Sequence, residues 1–170
     1  LRSLVSYPLR TLLPQNVSLI HEEVTRIDYT TRRILTHTKE IFFDYLLFAL
    51  GAETNYFTIP GAKEFALPFK TLRDALSIRD AVLSLSQNHP HTFRIAIAGA
   101  GPTGVELAGE LKQWIKELCF NVQHHPRIEI TLIDRNTTIL SRFDSAIIKK
   151  ATQRINYLGI ELALNSGIHM

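Results

Sequence analysis

Short apolar runs alternate with longer helical patterns through the second half of the chain. The runs that predict strands, short and rich in β-branched residues, lie at 93–98, 127–134 and 160–164. Helices are predicted at 102–120 and 145–158, and Asp144 and Gly159 are suited to begin and end the second one. Because alternating strands and helices require parallel strands joined by right-handed crossovers, we predict an α/β fold with a Rossmann-type parallel sheet.

The first part of the chain has a different pattern, with short β-type runs and no helical period. Strands are predicted at 16–20, 22–30 and 32–38, the last two joined as a hairpin or meander around residues 29–32. The run 44–50 is almost continuously apolar and is closed by Gly51, which predicts a strand buried on both faces. The segment 58–70 contains two prolines and a glycine, so we predict a connecting loop there.

The two patterns divide the chain into two predicted parts. Thr71 is suited to cap a helix at 72–87, in which apolar residues recur at helical spacing. We therefore predict a β-rich part at 1–69 and an α/β part at 70–170.

A glycine-rich loop follows the predicted strand 93–98 and opens the helix at 102. Gly99 permits a sharp turn out of the strand, Gly101 lets a pyrophosphate approach the backbone, and Gly104 lets the helix pack on the strand. The helix N-terminus favours a diphosphate, whereas the alternative interpretation is a purely structural turn. The candidate cofactor-binding residues of this loop are Gly99, Ala100, Gly101, Pro102, Thr103 and Gly104.

Three charged residues add to the predicted dinucleotide site. Asp134 ends the next predicted strand, 30 residues after Gly104, where a carboxylate accepts hydrogen bonds from the adenosine ribose. Asp134 favours NADH because it repels a 2′-phosphate, although Arg135 beside it attracts one. Glu106 lies one helical turn inside the phosphate-facing end, where it is either solvated or near the nicotinamide. Glu110, Gln113 and Glu117 continue its stripe along the helix and are predicted to be solvent-exposed.

Composition and charge exclude several other classes of function. The net charge is only +3 and the basic residues are scattered, which argues against nucleic-acid binding. No apolar run reaches the roughly 20 residues of a membrane span. Cys119 is the single cysteine, and the histidines at 89, 91, 124 and 125 have no partners at metal-ligand spacing, so no metal site is expected. No catalytic triad or carboxylate pair is evident, and without a visible signal peptide we expect a cytoplasmic location.

Around "IAIAGAGPTGVELAGEL" the sequence resembles the pyridine nucleotide–flavin oxidoreductases, and most of all the type II NADH dehydrogenases. The stretches 43–62, 66–83 and 130–162 resemble the same family. The resemblance implies that Glu106 is the family's nicotinamide-side glutamate. It also implies that Ala49 and Gly51 approach a flavin, although Leu50 stands where the family usually has Thr.

The resemblance implies an FAD-dependent enzyme that passes hydride from NADH to FAD and electrons to quinone in a respiratory chain. The alternatives are another flavin reductase, of ferredoxin or rubredoxin type, and a non-catalytic NAD-binding redox sensor. The family's first glycine loop and its C-terminal segment have no counterpart here, so 1–69 is expected to be part of an FAD domain and 70–170 part of an NADH domain.

We expect such a central fragment to self-associate and to be inactive alone. The parent is expected to be a homodimer that sits peripherally on the inner face of the cytoplasmic membrane, held there by segments outside this chain.

Overall fold

A computed structural model of the protein describes residues 7–88, 92–119 and 127–167. The chain divides into two compact units, Leu1–Gly51 and Ala52–Met170. The boundary predicted after residue 69 is a different one, because it separates the expected FAD and NADH parts of a longer flavoprotein. That boundary stays a prediction.

The first unit contains a short helix and an antiparallel sheet. Helix α1 spans Leu9–Leu12, and strands β1, β2 and β3 span Val24–Asp28, Arg33–Thr36 and Glu40–Phe42 in spatial order β1-β2-β3. The first hairpin turns where the sequence predicts, because the Asp28 carboxylate accepts the N–H groups of Thr30 and Thr31 at 3.0 and 3.1 Å. The two antiparallel pairings make the predicted meander.

Two strand predictions in the first unit are wrong. Residues 16–20 form no strand: Val17 donates to Pro14 O at 3.0 Å in a turn, and no described residue pairs with this segment in a sheet. Residues 44–50 also form no strand, and Tyr45 is 96% and Leu47 88% exposed. A strand buried on both faces needs hydrogen-bonded partner strands. No described residue pairs with 44–50, which follows β3 in the sequence.

The second unit is an α/β layer built on a parallel sheet. Its elements are α2 (Ala62–Phe65), α3 (Leu72–Asn88), β4 (Thr92–Ala98), α4 (Pro102–Cys119), β5 (Arg127–Ile133), α5 (Ser145–Tyr157) and β6 (Glu161–Ala163). The strands lie in the order β4-β5-β6, and both pairings are parallel. The Rossmann-type fold class is confirmed. The short helix α2 lies inside the predicted loop 58–70 and, like α1, was not predicted.

The ends of the helices follow from local side-chain chemistry. Thr71 and Asp74 cap α3 reciprocally, since the Asp74 carboxylate accepts from Thr71 N–H at 2.7 Å and Thr71 Oγ1 accepts from Asp74 N–H at 3.2 Å. Asp144 caps α5 by accepting from the N–H of Ala146 at 2.8 Å. Gly159 ends α5 with a φ of +65°, which favours glycine.

The hydrophobic core lies where α3, α4 and α5 pack with the parallel sheet. Ile115 of α4, Leu132 of β5 and Ile155 of α5 are each at most 2% exposed. The buried residues of the described chain that form this core are Val82, Ile97, Ala100, Ala108, Leu111, Ile115, Ile130, Leu132, Ile139, Leu140, Ile155 and Ile160. Burial of apolar surface therefore fixes the helices on the strands and places the ends of β4 and β5 side by side.

The two glycines of α4 differ sharply in their surroundings. A Cβ atom on Gly104 would lie 1.9 Å from the carbonyl oxygen of Gly99 and 3.4 Å from Leu132 Cδ1. A Cβ on Gly109, in the same helix, would meet only Leu158 Cδ1 at 3.8 Å, an ordinary contact. The absence of a side chain at Gly104 therefore lets the helix approach the strand, as the sequence predicts.

We expect Gly104→Ala to lower the free energy of unfolding by about 2 kcal/mol or more, because its Cβ meets backbone that cannot rotate away. Gly109→Ala is the matched control and should raise stability by about 0.5–1 kcal/mol, the usual gain of alanine over glycine in a helix. Urea unfolding of both variants measures the difference. Equal midpoints for the two variants would contradict the close approach.

Candidate functional site

The candidate site lies along the carboxyl edge of the parallel sheet. The Gly99–Gly104 loop follows β4 directly, and Asp134 follows β5 directly. In parallel sheets of this kind, ligands bind just outside the carboxyl ends of the strands. The fold therefore brings together the glycine loop, Asp134 and Arg135, three features that the sequence predicts as one site.

The first half of the glycine loop is fixed by hydrogen bonds from both sides. Gly99 has a φ of +102° and donates its N–H to Ile133 O at 2.8 Å. Ala100 is 1% exposed, donates its N–H to Asp134 Oδ2 at 2.7 Å, and accepts at its carbonyl from Leu140 N–H at 2.8 Å. The loop therefore has a defined shape before any ligand is considered.

The second half of the loop leaves room for an anion. Val105 N–H donates to Gly101 O at 3.0 Å, which makes Gly101 the N-cap of α4 and Pro102 its first helical residue. The N–H groups of Gly101, Thr103 and Gly104 then have no partner within the helix, and they lie at its positive end. A Cβ on Gly101 would meet nothing within 4 Å. An open space beside unpaired N–H groups fits a diphosphate.

Asp134 links the glycine loop to the strand beside it. Its Oδ1 accepts from the backbone N–H and the side-chain amide of Asn136, both at 2.8 Å, while Oδ2 holds Ala100. Burial acts to raise the pKa of Asp134, but these hydrogen bonds and the nearby Arg135 charge outweigh it and hold the pKa below its ordinary value of 3.8. The carboxylate is half-buried and ionised at neutral pH, so it can still accept a hydroxyl.

Backbone hydrogen bonds also fix the segment that follows β5. Ser166 N–H donates to Asp134 O and Asn165 N–H donates to Asn136 O, both at 3.0 Å. Leu140 is buried with a φ of +50°, so the backbone of the segment is constrained at its far end as well. Within the segment between Asp134 and Leu140, the residues Arg135, Asn136 and Thr137 are exposed.

Arg135 has an aromatic partner that sequence reasoning missed. The centre of its guanidinium lies 5.7 Å from the centroid of the Phe57 ring. Phe57 precedes Arg135 by 78 residues and lies just before the predicted connecting loop 58–70. No sequence signal for this pair was available, because a contact so distant along the chain has no periodicity.

Glu106 lies in the second turn of α4 and is exposed. Glu110, Gln113 and Glu117 are also exposed, as predicted for a solvated stripe. The opposite face holds Ala108, Leu111 and Ile115, all buried. Glu106 therefore has a side chain free to meet a ligand above the helix N-terminus.

The other candidate residues lie elsewhere. Ala49 and Gly51 belong to the first unit, where both are exposed and Gly51 has a φ of +78° with open space beside it.

The histidines at 89, 91, 124 and 125 lie outside the described residues. Across the described ranges, no group of three or more His, Cys, Asp or Glu could hold a metal ion. None of the helices in that part of the chain combines the length and apolar character needed to cross a bilayer.

Known proteins match most of this chain. The family model described as pyridine nucleotide-disulphide oxidoreductase matches residues 8–170. The external alternative NAD(P)H-ubiquinone oxidoreductase B2 of Arabidopsis thaliana mitochondria is 29% identical, over 97% of this chain and 32% of its own length. A type II NADH:quinone oxidoreductase of Staphylococcus saprophyticus is 27% identical, over 95% of this chain and 42% of its own.

A solved structure of NDH2 from Plasmodium falciparum in complex with NADH also superimposes on this chain. The TM-score is 0.70 at 28% identity, and the match covers 86% of this chain and 33% of that one. The chain therefore spans about a third to two fifths of the length of these relatives.

The hydrogen bonds of Asp134 predict an acid-dependent contribution to stability. We expect Asp134→Asn to lower the melting temperature at pH 7, because one amide oxygen cannot serve both Ala100 and Asn136. Since the folded pKa lies below the unfolded one, the carboxylate stabilises the fold above about pH 4 and loses this effect as the pH falls further. The difference in melting temperature between the wild type and Asp134→Asn should therefore shrink below about pH 4.

Asp144→Asn is the matched control for this measurement. Asn caps a helix about as well as Asp, and the side chain of Asp144 accepts from a single N–H. The melting temperature of Asp144→Asn should therefore stay near that of the wild type at pH 7. Melting curves between pH 3 and pH 7 give the comparison. A gap for Asp134→Asn that does not change with pH would contradict the role of the ionised carboxylate.

Proposed function

Because this chain belongs to the pyridine nucleotide-disulphide oxidoreductase family, we propose that it is the central part of an FAD-dependent NADH dehydrogenase. The protein passes hydride from NADH to FAD and delivers the electrons to quinone. The observation that carries this proposal is the glycine loop, fixed by Asp134 at Ala100 and open at Gly101. The names of the relatives, which specify NADH or NAD(P)H and a quinone, support the donor and the acceptor.

We propose that NADH lies across the carboxyl edge of the parallel sheet. Its diphosphate occupies the open space at Gly101 and accepts from the N–H groups of the first turn of α4. Its adenosine ribose donates to Asp134, which has acceptor capacity left after its three hydrogen bonds. Glu106, exposed one turn into the helix, faces the nicotinamide half.

The protein contributes binding and orientation to this reaction, and no side chain in the chain acts as an acid or base. When bound together, NADH and FAD supply the hydride donor and the acceptor that carries electrons onward. Gly51, with its positive φ and open surroundings, suits a close backbone approach to the flavin, as does Ala49 before it. The remaining part of the flavin site comes from segments outside this chain.

The larger organisation follows from the same proposal. Residues 1–69 form part of the FAD domain and 70–170 form the first half of the NADH domain. The whole protein is a homodimer, and it reaches quinone at the inner face of the cytoplasmic membrane through segments outside this chain. The exposed apolar residues of 44–50 support such an arrangement, since Leu47 and Leu50 are each 88% exposed and need a cover.

The test of the proposed function is carried out on the full-length protein purified with its flavin. We expect stoichiometric FAD absorbance and NADH oxidation that requires added quinone. Turnover with ferredoxin or rubredoxin instead would point to another flavin reductase, and a colourless protein that still binds NADH would point to a redox sensor.

In the full-length protein, Gly101→Val should raise the Kd for NADH about tenfold or more, because its side chain fills the diphosphate space.

Gly109→Ala controls for general effects on α4, and it should leave NADH binding unchanged. Gly101→Val should remain folded, because its side chain meets no protein atom within 4 Å at Cβ. Calorimetry on the two folded variants gives both Kd values. An unchanged Kd for Gly101→Val would exclude the glycine loop as the diphosphate site.

The choice between NADH and NADPH is proposed to depend on Asp134. The wild type should prefer NADH, since an ionised carboxylate repels a 2′-phosphate. Asp134→Ser should narrow the ratio of kcat/KM between the two cofactors, because the repulsion is lost while Arg135 remains. Steady-state rates with both cofactors measure this ratio. A wild type that prefers NADPH would show that Arg135 outweighs Asp134.

A further inference from the structure

The contact between Phe57 and Arg135 lies beside the proposed adenosine end of the site. The guanidinium lies 5.7 Å from the ring centroid, and both residues belong to the unit Ala52–Met170. Arg135 directly follows Asp134 at the carboxyl edge of the sheet. Phe57 is 64% exposed, so the ring has a free surface that packing within this chain does not explain.

The backbone that presents the Phe57 ring is held in an unusual conformation. Phe57 and Thr58 have φ values of 49° and 58°, a region that residues other than glycine seldom adopt. The turn is supported by Asn55, whose Oδ1 accepts from the N–H of Phe57 at 2.8 Å. Two such residues in succession are costly, and strain of this kind is concentrated where a fixed side-chain position serves a function.

Arg135 makes no direct ion pair with a carboxylate of the described residues, although its charge acts on the neighbouring Asp134. Of the ion pairs formed between described residues, none involves Arg135, and its side chain is exposed. A guanidinium held over the face of a ring still has its N–H donors and its other face available to a ligand. Arg135 can therefore present a flat, cationic surface to a planar ligand.

The position of this surface relative to Asp134 indicates which part of the cofactor it meets. The acid at the end of this strand binds the adenosine ribose, and the adenine ring is attached to that same ribose. The residue that follows the acid therefore borders the adenine. Guanidinium planes stack on purine bases, as they do on aromatic side chains.

We propose that Phe57 is a positioning residue for the adenosine half of NADH. It acts by holding the Arg135 guanidinium over the face of its ring, so that the other side of the guanidinium is available to cover the adenine. This inference rests on the proposed function. Without the ring, a free arginine side chain must lose rotamer freedom when the cofactor binds. A cation–π pair at an exposed site contributes about 0.5–1 kcal/mol, which corresponds to a two- to fivefold change in affinity.

The test uses Phe57→Leu in the full-length protein with its flavin and quinone. We expect the KM for NADH to rise about two- to fivefold with kcat unchanged, because only the adenosine half is affected. Reduced nicotinamide mononucleotide lacks the adenosine half, so its KM should be the same for the variant and the wild type. Phe57→Tyr keeps an aromatic face and should restore the wild-type KM for NADH.

A double-mutant cycle tests whether the effect passes through Arg135. Adding Phe57→Leu to Arg135→Met should cause no further rise in the KM for NADH, because the partner is already absent. Tyr157→Leu is the matched control, since Tyr157 pairs with Arg154 at 5.5 Å at the C-terminal end of α5, by the opposite edge of the sheet. This control should leave both KM values unchanged.

Two classes of result overturn the inference, and they are distinguishable. A wild type that oxidises NADH, combined with a Phe57→Leu variant whose KM is unchanged or rises equally for the mononucleotide, overturns the role of Phe57 alone. Additive effects of the two substitutions do the same. A wild type that neither binds nor oxidises NADH overturns the proposed function and this inference together.

Discussion

The close approach of α4 to the end of β4 is the contact on which the rest of the site depends. Gly104 lies so near the carbonyl of Gly99 that a single methyl group would overlap the backbone. This approach places the positive end of a helix directly at the carboxyl edge of the sheet. If α4 moved outward by the width of a side chain, its first N–H groups would no longer converge with Gly101 and Asp134 on one space.

Ala100 connects this contact to the neighbouring strand. Its N–H and carbonyl are both used, by Asp134 and by Leu140, and its side chain is buried. Asp134 therefore holds the glycine loop through Ala100, and the same carboxylate is the one proposed to receive the ribose. Three donors around an ionised carboxylate explain why burial does not neutralise it. The site is shaped by protein hydrogen bonds before a cofactor binds.

The sequence predicts the α/β unit well because its signals are local. The periods of α4 and β5, the caps at Thr71 and Asp144, and the glycine spacing each depend on residues within a few positions of one another. The run 44–50 shows a limit of such local signals. Its continuous apolar character indicates that it should be buried, but it does not indicate which segment covers it. Phe57 and Arg135 show another limit, since nothing in either local sequence indicates that they meet.

Backbone hydrogen bonds join the segment that follows β5 to two other parts of the chain: Asp134 and Asn136 bind residues 163–166, and Leu140 binds Ala100. A loop anchored at such short intervals has no slack, so an inserted or deleted residue would break at least one anchor and carry the distortion into the glycine loop. A change in the proposed cofactor preference would therefore require exchange of side chains at Asp134 and the exposed positions 135–137, on a backbone whose length must stay constant. Related proteins that share these anchors should differ in nucleotide choice by substitution at a few positions, and seldom by changes in loop length.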